Sequence, residues 1–145
     1  MNITAVQVSG FITRSMGFTN TAIQQASHQA IALRLNANAA VIYNYRIDGF
    51  QDSFYSQSDR HFVCNSVISG TIKIIFGDSQ VVTQYCLIIL RHPMDNQKNT
   101  VTAHGKETQH EGTGIMGSGD EPHLGLIKNI FGRHKKVSSV KEVNA

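Results

Sequence analysis

The chain has 145 residues, is 41% hydrophobic and 16% charged, and carries a formal charge of +3. That length suits one domain, and that composition can build a core, which excludes a chain disordered by composition. The charge lies at one end: Arg133, Lys135, Lys136 and Lys141 stand against Glu142 in the last 14 residues, leaving nine basic and nine acidic residues in the first 131. A neutral body argues against a nucleic-acid partner, which needs basic residues across the fold.

No apolar run approaches the ~18 residues of a membrane span, so no membrane partner is expected. The opening Met1-Asn-Ile-Thr-Ala-Val-Gln-Val-Ser-Gly10 lacks a basic region followed by an apolar one, so no signal peptide is visible. Asn2-Ile-Thr4 is a glycosylation sequon, a weak signal when it occurs once at a terminus. Ala22 to Leu35 is the best helical candidate, although its Ile-Ala-Leu-Arg-Leu end reads equally well as a strand. Val41 to Ile47 and Val81 to Leu90 are rich in β-branched and aromatic residues and predict strands. Gly10, Gly17, Gly49, Gly70 and Gly77 punctuate the pattern. The basic tail shows no hydrophobic periodicity and predicts a solvated extension.

A weak repeat runs through these strands. Gly17-Phe-Thr-Asn20, Arg46-Ile-Asp-Gly49, Val67-Ile-Ser-Gly70 and Leu87-Ile-Ile-Leu90 start 29, 21 and 20 residues apart. A period near 20 suggests a solenoid of stacked β-turns, with a β-sandwich as the alternative. In a solenoid, residues one period apart share a face, about 4.8 Å apart. Gln29 and Gln51 are 22 apart, and Asp52 and Lys73 are 21 apart, so the four would cluster. Amides can stabilise an oxyanion and a carboxylate can act as acid or base. The plainer reading is a surface ladder with an Asp52–Lys73 salt bridge.

The seven histidines show no metal-ligand spacing, so no metal is expected. Cys64 and Cys86 are 22 apart. Aligning Ile68 on Ile88 offsets them by two residues, about 7 Å along a strand. With the rung spacing added they exceed disulfide reach, and two free thiols are expected.

Several blocks resemble the plant pectinesterases, or pectin methylesterases. They are Gly10-Phe-Ile-Thr-Arg14 with Gly17-Phe-Thr-Asn-Thr21, His28-Gln-Ala-Ile-Ala-Leu33, Arg46-Ile-Asp-Gly-Phe-Gln-Asp-Ser-Phe-Tyr55, Ser69-Gly-Thr-Ile-Lys-Ile-Ile-Phe-Gly-Asp78 and Asp95-Asn-Gln-Lys-Asn-Thr-Val-Thr-Ala-His-Gly105. The resemblance implies a right-handed parallel β-helix, of which this chain would hold about five rungs. It places that domain in residues 1–115 and leaves 116–145 as a divergent, poorly ordered basic tail. It implies hydrolysis of the methyl esters of homogalacturonan in the extracellular cell wall, with no cofactor. In the family one aspartate attacks the ester, a second acts as acid and then base, and glutamines stabilise the intermediate.

By position, the resemblance makes Asp52 the general acid/base and Gln51 an intermediate stabiliser, with Gln29 and Phe76 in the substrate cleft. It puts the nucleophile where this chain has Lys73. A lysine paired with Asp52 is unreactive, and its attack on an ester would leave a stable amide. Asp78, five residues on beyond Gly77, is a poor substitute. The family's Leu-Gly-Arg-Pro-Trp block is echoed only by His123-Leu-Gly-Leu-Ile-Lys128, and the chain has no tryptophan. Two readings follow: a working or weakly working pectinesterase, or a non-catalytic relic that binds pectin or does nothing.

Overall fold

The structure is a computed structural model and describes residues 4–22, 30–104 and 114–118. Its strands are β1 (Thr4–Val6), β2 (Ile12–Arg14), β3 (Gly17–Thr19), β4 (Leu33–Asn36), β5 (Ala40–Tyr43), β6 (Arg46–Asp48), β7 (Phe54–Ser58), β8 (Arg60–Cys64), β9 (Val67–Gly70), β10 (Ile75–Gly77), β11 (Gln80–Gln84), β12 (Leu87–Leu90), β13 (Thr102–His104) and β14 (Gly114–Ser118). Every third strand returns to the same sheet. Sheet A runs β1-β4-β7-β10-β13, sheet B runs β14-β11-β8-β5-β2, and sheet C runs β12-β9-β6-β3. All strand pairs are parallel, so the chain coils through three faces per turn as a parallel β-helix.

The sequence repeat is sheet C. Phe18, Ile47, Ile68 and Ile88 occupy one register column. Ile47 and Ile68 are fully buried, and Phe18 and Ile88 pack against the same core. Leu33, Phe54 and Ile75 form the matching column of sheet A, each at most 1% exposed. Each fully buried aliphatic or aromatic side chain contributes about 1.5–3 kcal/mol.

Side chains alternate across each sheet, so the residues between these columns face out. On sheet A the outward column is Ala5, Arg34, Tyr55, Phe76 and Ala103. The segment where helix competed with strand supplies β4, and residues 23–29 lie outside the described residues.

Sheets B and C meet at a two-residue corner. Ser15, Asn44, Asn65 and Tyr85 take equivalent places there, with φ of 58°, 56°, 52° and 53°. The N–H of each of the first three donates to the carbonyl of the strand one rung on, at Tyr43, Cys64 and Gln84. Asn44 Nδ2 donates to Ser15 Oγ at 3.1 Å, adding a side-chain rung to this column. Asparagine and serine suit such a corner because short polar side chains satisfy nearby groups in the left-handed region.

Cys64 and Cys86 are free thiols, as their offset required. Cys64 pairs with Gln84, which leaves Cys86 two residues further along.

Candidate active site

The turn from sheet C to sheet A carries the residues singled out by the sequence. Between β6 and β7 it reads Gly49-Phe-Gln-Asp-Ser53; between β9 and β10 it reads Thr71-Ile-Lys-Ile74. The two turns stack. Gln51 bridges Ile72, Asp52 N–H donates to Ile72 O at 2.9 Å, and Phe54 N–H donates to Ile74 O at 2.9 Å. Asp52 and Lys73 hold the same left-handed position one rung apart, with φ of 59° and 50°.

Glycines shape this turn. A Cβ at Gly49 or at Gly70 would lie 2.5 Å from Ser53 Oγ. The buried Ser53 therefore tucks between two glycines one rung apart and draws the turn back onto the coil. Thr71 N–H donates to Phe50 O at 2.6 Å and closes the same turn.

Asp52 is 2% exposed, and its Oδ1 has no hydrogen-bond partner. Burial pushes its carboxyl above the ordinary value, and the positive charge of Lys73 pulls it partly back. The expected Asp52–Lys73 ion pair does not form. Among the described residues the ion pairs are Arg46–Asp48 at 2.6 Å and Arg91–Asp48 at 3.5 Å. The reason is a difference in burial: the Asp52 carboxylate is enclosed, whereas Lys73 is exposed to solvent.

Gln29 lies outside the described residues. Its neighbour Ala30 is placed, with its N–H directed at Gln51 O at 3.4 Å. Phe76 sits on the outer face of sheet A, its ring stacked on Tyr55 with centroids 4.6 Å apart and planes within 4°. Arg34 lies over the other side of Tyr55, its Cζ 5.7 Å from the centroid, and its Nε donates to Gln57 Oε1 at 2.7 Å. Sequence reasoning missed Arg34 and Tyr55 as part of this surface. The signal was present: Arg34, Tyr55 and Phe76 are 21 residues apart in succession, the same interval as Asp52 and Lys73.

A second group braces the turn. Asp48 accepts from Ser69 Oγ at 2.7 Å, and Arg91 lies over the Phe50 ring, its Cζ 4.8 Å from the centroid. Asp78 follows β10 beyond Phe76, where its N–H bonds Gln57 O at 3.1 Å and its Oδ1 is buried without a partner. No group of three or more His, Cys, Asp or Glu among the described residues is arranged to hold a metal ion. No helix of the described residues is long and apolar enough to cross a membrane.

The sequence and the coil match known proteins. The pectinesterase family model matches residues 2–119. The chain belongs to the pectinesterase family. It is 45% identical over 112 residues to Pectinesterase 3 of Phaseolus vulgaris, covering 77% of this chain and 19% of that protein. It is 41% identical over 143 residues to Pectinesterase/pectinesterase inhibitor 18 of Arabidopsis thaliana, covering 93% of this chain and 26% of that protein. Pectin methylesterase from carrot superposes with a TM-score of 0.74 at 42% identity, covering 78% of this chain and 35% of that chain. A pectin methylesterase solved with a hexasaccharide shares the fold, with a TM-score of 0.67 at 21% identity, covering 80% of this chain and 41% of that chain. The chain therefore spans about a fifth to a quarter of the length of the curated relatives it matches. The family match runs four residues past the boundary expected at 115, and β14 crosses it.

Proposed function

We propose that this chain is a homogalacturonan-binding pectinesterase solenoid whose ester hydrolysis is abolished or severely impaired. The observation that carries this reading is Lys73 in the turn stacked on Asp52. The family chemistry needs two carboxylates there, one to attack and one to move protons. Asp52 has the properties of the proton-moving group: it is enclosed, and burial raises its carboxyl. The position that should hold the attacking carboxylate holds an amine. If that amine attacked, it would expel methanol once and keep the acyl group as an amide, ending turnover. Loss of a nucleophile costs on the order of 10⁴–10⁶ in rate.

Polysaccharide binding rests on other groups. In the Tyr55–Phe76 stack on the outside of sheet A, the face of Phe76 turned away from Tyr55 is suited to a sugar ring, and Gln51 lies in the adjoining turn. Gln29 joins them by family position. Membership of the family supports cell-wall pectin, outside the cell, as the partner of this surface. The basic tail of residues 116–145 has no part in this reading.

Methanol release from methyl-esterified pectin tests it. The chain is expected to show no turnover, and Lys73→Asp is expected to raise hydrolysis well above the parent. Sustained turnover by the parent that disappears in Asp52→Ala would establish a working esterase instead.

A further inference from the structure

The outer face of sheet A and the turn that leads into it combine an aromatic pair with two cationic side chains. Tyr55 and Phe76 stack flat, Arg34 lies over Tyr55, and Lys73 stands exposed at the entry to β10, three residues before Phe76. Among the described residues Lys73 has no ion-pair partner within 4 Å, so its ammonium is available to a ligand. Of the carboxylates around this face, Asp59 is exposed beyond the far end of β7, and Asp52 and Asp78 are wholly or partly enclosed. Asp52 is enclosed in its turn, and the Oδ1 of Asp78 is buried beyond Phe76. A neutral methyl ester can only accept a hydrogen bond from an ammonium group through its carbonyl oxygen, without charge pairing. A free uronate carboxylate gains a charge-assisted hydrogen bond.

From this juxtaposition, and resting on the galacturonan-binding reading, we infer that the site selects de-esterified homogalacturonan over the methyl-esterified polymer. A sugar ring lies on the face of Phe76 turned away from Tyr55, and Lys73 takes a carboxylate at the turn where an attacking group would otherwise stand. The ligand is then the product of ester hydrolysis carried out by another enzyme. Because Lys73 is solvent-exposed, its contribution is modest and salt-sensitive.

Isothermal titration calorimetry with galacturonan oligomers of equal length, fully esterified or fully de-esterified, in calcium-free buffer, tests this. The parent is expected to bind the de-esterified oligomer about twofold to fivefold more tightly, with the difference narrowing as salt is added. Lys73→Met is expected to abolish the preference. Lys73→Gly, which also suits the positive φ, guards against a folding defect and is expected to do the same. Equal affinity for the two oligomers, tighter binding of the esterified one, or a preference that survives both neutral variants would overturn the inference while leaving galacturonan binding intact. Binding of neither oligomer would overturn the inference together with the reading beneath it.

Discussion

Asp52 is 2% exposed, keeps one oxygen unpaired, and sits at a φ of 59°. These facts make it costly to the fold as well as suited to chemistry. Its folded carboxyl titrates above the ordinary value of 3.8, so burial favours the protonated form. Below that value both folded and unfolded chains keep the proton. As pH rises through it the unfolded chain loses its proton first, and stability falls until the folded carboxyl has ionised too. Asp52→Asn removes this penalty, and asparagine tolerates the left-handed backbone. The variant is expected to be more stable than the parent at neutral pH, with the gap shrinking below 3.8. Urea melts at pH 7 and at acid pH check this; an equal gap at both would mean that the gain comes from backbone or hydrogen bonding. The residues of the turn were legible in the sequence because Gln51, Asp52 and Lys73 fall on one period. Their electrostatics were not, since spacing shows which residues share a face but not which of them is enclosed. Hence the expected salt bridge is replaced by a buried carboxylate beside an exposed ammonium.

At the scale of an element, the corner between sheets B and C shows what pattern reading can and cannot reach. Asn44 and Asn65 carry turn chemistry in their side chains, yet Val41 to Ile47 read as one strand, and the corner at Asn44 divides it into β5 and β6. Tyr85 carried the opposite signal. An aromatic within Val81 to Leu90 reads as strand, yet the corner forces it to a φ of 53° and splits that run into β11 and β12. The position in the coil, rather than the residue's own preference, decides its backbone. A tyrosine in the left-handed region is strained, and 47% exposure means its ring contributes limited packing. Tyr85→Asn is therefore expected to stabilise the chain by about 0.5–1 kcal/mol, by relieving strain and extending the polar column. A thermal melt showing loss of stability would mean that the ring packs more strongly than its exposure implies.

The molecule is quasi-one-dimensional: each rung rests on its neighbours, and the Phe18–Ile47–Ile68–Ile88 and Leu33–Phe54–Ile75 columns run along it. The period of about 20 was legible because consecutive strands of sheet C carry similar residues. The division into three sheets was not, because the corners are too short to interrupt a hydrophobic run. This geometry also concentrates unpaired backbone at an end. In this 145-residue polypeptide taken alone, β1, β2 and β3 each pair on one side only, among the described residues. Apolar side chains accompany that open edge: Ile12 is 76% exposed, Val8 69% and Met16 57%. Parallel edges with an apolar fringe are templates for further strands, and natural proteins block them with charge. Sedimentation velocity is therefore expected to show species that grow with concentration across the micromolar range. Ile12→Lys places a charge on the middle edge strand, at a site whose exposure leaves little core packing to lose. It is expected to shift the distribution towards monomer without lowering the melting temperature by more than a degree or two. A parent chain that sediments as a single monomer at every concentration would show that the edge is already protected. An Ile12→Lys chain that associates as strongly as the parent would place the contact on another surface.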